Sequence, residues 1–467
     1  MVRNKLDLQT TDIPISQIYR TNIRFDASSY DTAGSEAKKI IKNSGLSLAS
    51  ISEISENCFY PKRFKRNFVK KNSPNAIGFI GSSEMLDINP VPRKFLSEHL
   101  TDTASLKVNE HDVLISRSGT IGNISIINKT LSQFLFSEHS IRIQSKKYSS
   151  YIAIFLKSEI GQAILKSKIF GSVVNQIEPE DINDIKLPIP DKNILARIHE
   201  LVTESNNLID TSNKLEDNAH KKLLRALDIE NNLIETQELT TQSVKLKDLN
   251  YRFDASYHNP VINSIMKKWL INPCIDKVIT LKNLSSEIIL PGRFKRTYVD
   301  KDHGALFIGG KQIWQLDPNN KKYLSLHFHK ERIQQQLTLK ENMILVTCSG
   351  TIGKVAFVPK HWEGWTANQH IMRINAPNEM MAAYIYQFLR SEVGKCFILK
   401  HTYGSVVDEI DDRHLAEVEI PILTSKSLIE EISNDTLKSK ELRSKAYFLQ
   451  QEAMDIFNTK VITKPFS

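Results

Sequence analysis

Hydrophobic positions along this chain follow two rhythms, and each rhythm occurs twice. Asp112–Ser116 and Ile121–Ile127 are short apolar runs around a Ser-Gly-Thr turn, which predicts strand, turn, strand. Met343–Thr347 and Ile352–Val358 repeat the pattern. Ile152, Phe155, Leu156, Ile160 and Ile164 fall at helical spacing, predicting a helix over Tyr151–Lys168 with a partner over Tyr384–Lys400. Lys186-Leu187-Pro188-Ile189-Pro190 then reads as an extended segment, because its prolines cannot continue a helix. Beyond it, Ile194, Leu201, Leu208 and Leu215 recur every seven residues, each followed four residues later by Ile198, Ser205, Ser212 or Ala219. After Ile422 the design returns as Leu428, Asp435, Leu442, Leu449 and Ile456, with Ile432, Ser439, Ala446 and Ala453 between. Both stretches read as heptad seams whose second position is mostly small, which lets two helices approach closely. Asp435 interrupts the apolar row and marks either a weak spot or a polar contact.

The letters repeat too. Arg24-Phe25-Asp26-Ala27-Ser28 recurs as Arg252-Phe253-Asp254-Ala255-Ser256, and Arg63-Phe64-Lys65-Arg66 as Arg293-Phe294-Lys295-Arg296. Ser118-Gly119-Thr120-Ile121-Gly122 recurs as Ser349 to Gly353, Phe155 to Gly161 as Phe388 to Gly394, and Gly171-Ser172-Val173-Val174 as Gly404 to Val407. Five matches in one order mean one unit used twice. The predicted organisation is a mixed domain over 1–190, a helical segment over 191–240, a second mixed domain over 241–423 and a helical segment over 424–467. The fold class is α+β: two pseudo-twofold related α/β domains joined by two long antiparallel coiled-coil helices. The pairing positions are Ile194, Leu201, Leu208 and Leu215 against Leu428, Ile432, Leu442 and Leu449. Helices of about 29 residues span roughly 43 Å, more than the roughly 34–36 Å of one DNA turn, so the pair reads as a rigid ruler.

Charge adds a partner class. Net charge is +9 and the isoelectric point about 9.1, which suits a polyanion. Lys62, Arg63, Lys65, Arg66, Lys70 and Lys71 form an acid-free cluster, and Arg293, Lys295 and Arg296 echo it. Such residues neutralise phosphates, and arginine also reads guanine edges; recurrence favours a DNA-facing loop over a solvated surface run. The turns offer Arg117, Ser118 and Thr120 in one copy and Ser349, Thr351 and Lys354 in the other, as hydroxyls and cations for a phosphate or base edge or as plain structural hairpins. Gly350-Thr351-Ile352-Gly353-Lys354 is too short for a phosphate-binding loop, which needs four residues between its glycines and a Ser or Thr after the lysine. Ser137-Glu138-His139 and Asn368-Gln369-His370 occupy matching positions; Asn and Gln suit adenine edges and Glu can accept from cytosine. Lys311, Gln312 and Trp314 diverge from Ser82, Ser83 and Met85, with Trp314 equally readable as core. Arg24–Asp26 and its copy read as an Arg–Asp pair beside a buried Phe, fixing the start of each domain. Gly171–Val174 and its copy read evenly as a contact loop or a structural one.

Cys58, Cys274, Cys348 and Cys396 lie far apart with no metal-ligand spacing, which argues against disulfides and structural zinc and fits a reducing cytoplasm. No apolar run of membrane-spanning length is present, and no metal is expected. No methyltransferase, dinucleotide, phosphate-loop or zinc-protease signature occurs either.

Two variable domains, each followed by a long helix, with Arg-Phe-Asp-Ala-Ser starts and Leu114-Ile115-Ser116-Arg117-Ser118-Gly119-Thr120-Ile121-Gly122 hairpins, resemble the specificity subunits of Type I restriction-modification enzymes. The resemblance covers essentially the whole chain and lies in the combination of motifs. It implies target recognition domains that each read half of a split duplex DNA site, and helical spacers that dock methyltransferase subunits, with restriction/translocase subunits completing the complex. It also implies no catalysis and no cofactor on this chain, its partners using S-adenosylmethionine, ATP and Mg. That family often carries Pro-Pro-Leu-x-Glu-Gln where a domain enters its helix. Here the entries read Leu187-Pro188-Ile189-Pro190-Asp191-Lys192-Asn193 and Ile420-Pro421-Ile422-Leu423-Thr424-Ser425. A related system with a fused methylase-nuclease partner is therefore the alternative, followed by a stand-alone nucleotide-dependent enzyme using the Gly350–Lys354 turn.

Overall fold

A computed structural model describes residue 15 and residues 32–169, 175–229, 243–249, 252–404 and 408–462. The repeated motifs at Arg24–Ser28, Gly171–Val174 and Ser405–Val407 lie outside the described residues. The chain forms two compact units, 1–207 with 448–467, and 208–447. Among the described residues no helix is long and apolar enough to cross a membrane.

In the first unit, an antiparallel sheet runs Asn57–Phe59, Ser140–Gln144, Val113–Ser116, Ile124–Ile126. A second sheet runs Phe68–Val69, Lys94–Ser97, Ala76–Ile80, Leu135–Phe136, its last pair parallel. A separate ribbon pairs Ser47–Ser50 with Lys186–Ile189. The second unit has the same three sheets in the same order, with Val355–Phe357 at one edge and Thr366–Ala367 at another. Side chains alternate across a strand, so each central strand faces two cores. Val113 and Ile115 pack with the helices, whereas Leu114 packs with Ile80 and Phe136 beneath the second sheet. Ile344 and Val346 against Leu345 do the same in the second unit.

Between the sheets of each unit lies a fully buried arginine, Arg142 or Arg373. Arg142 donates to the carbonyls of Phe136 at 2.7 Å and Ser140 at 2.8 Å. Arg373 donates to those of Ala367 and Ile371, both at 2.5 Å, and of Leu337 at 3.2 Å. Burial pushes these guanidinium groups down to about 10 and about 9, which still leaves them charged at neutral pH.

The helix predicted over Tyr151–Lys168 is two helices, Ser149–Lys157 and Glu159–Ser167, and its partner is Glu379–Arg390 and Glu392–Lys400. Ser158 and Ser391 are extended at the break and cap the second helices, accepting from the N–H of Gly161 at 3.1 Å and of Gly394 at 2.8 Å. The apolar rhythm carries straight through such a break, which is why spacing alone conceals it. At Gly161 and Gly394 a Cβ would stand 2.0 Å from the carbonyl oxygen of Phe155 or Phe388.

Residues Lys192–Ala226 and Lys426–Ile456 form the two long helices. In the second unit Ser212 meets Ser439 and Arg443, while Lys222 pairs with Glu431 and Asp435, so these segments run antiparallel. Asp435 is thus a polar contact. The seam is displaced from its predicted position. Ile198, Ser205, Ser212 and Ala219 are fully buried, but the row that accompanies them is Val202, Ile209, Glu216 and Leu223. Leu201 is buried, whereas Ile194, Leu208 and Leu215 are half-buried on the flank. On the other helix Ile432, Ser439, Ala446 and Ala453 are buried beside Thr436, Arg443, Gln450 and Phe457; Leu442 is buried and Leu428 and Leu449 are half-buried. Glu216, Arg443 and Gln450 interrupt the companion rows with polar letters, so an apolar search passes over them.

Glu216 is the centre of the second unit's seam. Its carboxylate takes Arg443 Nη2 at 2.6 Å and the Tyr386 hydroxyl at 2.5 Å, with Arg390 at 3.6 Å. Arg443 also donates to Ser212 at 2.9 Å. Burial alone pushes the Glu216 carboxyl up, but attraction from Arg390 and Arg443 and the bonds from Arg443 and Tyr386 hold it well below the usual range. In the first unit an amide serves instead of a carboxylate: Gln450 donates to Ser205 at 3.0 Å and accepts from the Lys157 ammonium at 3.4 Å.

Gly161→Ala or Gly394→Ala is expected to destabilise its own unit by about 1–3 kcal/mol or more, read from denaturant midpoints; a change below about 0.5 kcal/mol would mean the break relaxes freely. Glu216→Ala leaves two buried arginines uncompensated and is expected to cost about 3–5 kcal/mol. Because the carboxyl is depressed in the folded state, its contribution is complete above the ordinary glutamate range and fades as pH falls through the folded value. Acid titration of the wild type and Glu216→Ala should therefore converge, and parallel curves would contradict this.

Candidate nucleic-acid interface

Each Arg-Phe-Lys-Arg loop crosses from the first sheet to the second. Its phenylalanine turns inward: Phe64 packs edge-on against Phe79, and Phe294 against the core containing Phe307 and Leu324. Alternation then leaves Lys62, Arg63, Lys65 and Arg66 exposed, with Arg293 and Lys295 exposed and Arg296 half-buried in the other unit. Arg66 lies 5.6 Å over the Phe79 ring and bonds Glu138 at 2.5 Å. Arg296 lies 5.5 Å over Phe307 and bonds Gln369 at 2.9 Å. Both guanidinium groups are thus fixed by a ring beneath and an acceptor beside.

Each Ser-Gly-Thr turn is internally braced. Gly119 and Gly122 have φ of 75° and 84°, and Gly350 and Gly353 of 76° and 75°, values that favour glycine. The Ser116 hydroxyl donates to the Thr120 carbonyl at 2.6 Å, and Thr347 does the same to Thr351. Thr120 and Thr351 remain exposed at the tips. Ser118 bonds the His139 ring at 2.8 Å, and Ser349 bridges the backbone of Glu409. Burial, followed by nearby Arg296 and Arg293, lowers the titration of His370.

Several sequence candidates meet in the first unit. Lys62, Arg63, Arg117, Glu138 and His139 line one cleft of about 400 Å³, together with Tyr60, Gln176 and Glu178. Arg117 forms its wall: it is buried, pairs with Glu178, bonds Gln176 at 3.3 Å and lies 3.9 Å over Tyr60. In the second unit Arg293 bonds Glu409 at 2.9 Å. Lys354 sits 4.1 Å over the Trp314 ring, and Trp314 packs on the core while donating to Val355 at 2.8 Å. Gln312 braces its own loop by accepting from Gly309 at 2.9 Å, and Lys311 is exposed. Asn368 accepts from the His370 backbone at 2.9 Å.

The Arg252–Asp254 pair forms at 2.7 Å, and Arg252 also donates to the Thr402 carbonyl. Phe253 beside it is 83% exposed rather than buried, because the pair turns the intervening side chain outward. Sequence reasoning missed Gln176, Glu178 and Glu409. The signal was present: Gln176-Ile177-Glu178 and Glu409-Ile410-Asp411 follow the repeated Gly-Ser-Val-Val in both copies.

No curated protein matches the chain. Solved structures with weak overall similarity include the S subunit of a Type-I restriction-modification system from M. genitalium, at TM-score 0.33 and 10% identity over 90% of this chain and 96% of that one. The HsdS subunit from Thermoanaerobacter tengcongensis is similar at TM-score 0.28 and 11% identity, over 89% and 96%. A structure from work on complex assembly and conformational transition of the type I R-M system gives TM-score 0.28 and 12% identity, over 89% and 97%. The family model described as the Type I restriction modification DNA specificity domain matches residues 20–248 and 307–425. That match covers most of the chain and takes in both strand-turn-strand repeats, so the chain belongs to the Type I restriction-modification DNA specificity family.

Proposed function

We propose that this chain is the DNA sequence-specificity subunit of a Type I restriction-modification complex, without catalysis of its own. One observation carries the reading: the same basic loop, glycine-braced turn and polar Glu138 or Gln369 position come together in each unit. Two such assemblies suit a bipartite duplex site, each reading one half. Cationic side chains supply affinity through the phosphates, and the polar side chains that differ between copies supply base discrimination. The two modules are proposed as pseudo-twofold copies joined by an antiparallel coiled coil. The long helices, 35 and 31 residues, extend about 52 and 46 Å at 1.5 Å per residue. That is enough to set half-site spacing beyond one turn of DNA. Methyltransferase subunits docked on the helices would use S-adenosylmethionine, and restriction/translocase subunits would use ATP and Mg, in the cytoplasm.

Methylome sequencing of cells expressing this chain with its methyltransferase should reveal a split motif of constant spacing. No split motif, with both proteins expressed and active, overturns the reading. In the purified complex, Arg296→Ala is expected to weaken duplex binding across sequences and reduce the salt slope by about one.

A further inference from the structure

The two loops carry the same arginines but opposite counter-charges. Isolated bridges join Ser118 to Gln176 and Ser349 to Glu409, so those partners are equivalent positions. The backbone bonds from Arg117 to His139 and from Cys348 to His370 likewise make Glu138 and Gln369 equivalent. In the first unit Arg66 faces the carboxylate of Glu138, whose side chain is 9% exposed. Arg63 lines the cleft with neutral Gln176 and with two carboxylates already taken, Glu138 by Arg66 and Glu178 by Arg117, and has no ion pair of its own among the described residues. In the second unit Arg296 faces the carboxamide of Gln369, and Arg293 faces the carboxylate of Glu409. A carboxylate within 3 Å cancels an arginine's field at a phosphate several ångströms farther off, whatever the pair contributes to stability.

We infer that each module offers one arginine of its Arg-Phe-Lys-Arg loop to the DNA backbone as a free cation and cancels the other. Which one is free is set by exchanging carboxylate and carboxamide between two positions. Arg63 is the free cation of the first module and Arg296 of the second. Glu138 and Glu409 act as positioning residues that fix a guanidinium without leaving net charge. Each module keeps one net positive charge from these four side chains, but from opposite ends of the tetrapeptide. The two halves therefore grip the backbone at different points along an otherwise repeated surface.

This rests on the proposed DNA-reading function and is tested with the full chain in complex with its methyltransferase subunits, on a duplex carrying the methylated motif. Glu138→Gln frees Arg66 and is expected to steepen the dependence of log affinity on log salt by about 0.9. Gln369→Glu cancels Arg296 and is expected to flatten it by the same amount. Each change corresponds to about a 3- to 4-fold difference in relative affinity between 50 and 200 mM salt. Arg63→Ala should reduce the slope, whereas removing both charges of the cancelled pair, Arg66→Ala together with Glu138→Gln, should not. A folding defect would lower affinity in both carboxylate–carboxamide variants, whereas the inference requires slope changes of opposite sign. Binding with unchanged slopes, or with both slopes moving the same way, overturns this inference alone. No duplex binding by the wild-type complex overturns the underlying reading and this inference with it.

Discussion

A carboxylate removed from water needs its charge answered on the spot, and Glu216 meets that demand with Arg443, Arg390 and Tyr386. The two arginines come from different elements, one from a long helix and one from the helix pair packed beside it. One buried anion thereby fixes three segments of the second unit at once. Small residues make this possible: Ser212 and Ser439 lie 3.4 Å apart, a distance that leucines in their place would forbid. A buried ion pair of this kind is weak evidence for stability compared with an apolar core of the same shape. Its best-attested use is to specify register, because a shifted helix would strand the charge.

Inside each unit a desolvated arginine performs the corresponding task for the sheets. Arg142 and Arg373 satisfy carbonyl groups at strand ends, positions at which unmet acceptors would be costly. The geometry suits guanidinium in particular, since its planar fork reaches carbonyls on two sheets from one strand.

The duplication, the strand-turn-strand units, the glycine-dependent turns and the two long helices were legible in the letters, because each rests on local spacing or on a residue type with few substitutes. The basic composition of the two loops was legible as well. Four kinds of feature were not. The companion rows of the seam contain Glu216, Arg443 and Gln450, which an apolar period does not register. Arg142, Arg373 and Arg117 read as surface cations until burial and partners are known. Gln176 and Glu178 follow a repeated motif that marks their segment, but that this segment approaches the distant basic loop is shown only by the tertiary structure. Ser158 and Ser391 fall where an uninterrupted helical rhythm gives no reason to expect a break.

The buried arginines also bear on how this chain can change over time. Arg142 holds the carbonyls of Phe136 and Ser140 on either side of Glu138, and Arg373 holds those of Ala367 and Ile371 on either side of Gln369. The backbone at each of these variable positions is clamped from behind, by bonds that do not involve the side chain in front. The backbone course there does not depend on which side chain is present, so under the proposed function a single exchange in one module would leave the other unchanged. The clamp thus separates what holds the backbone from what faces outward.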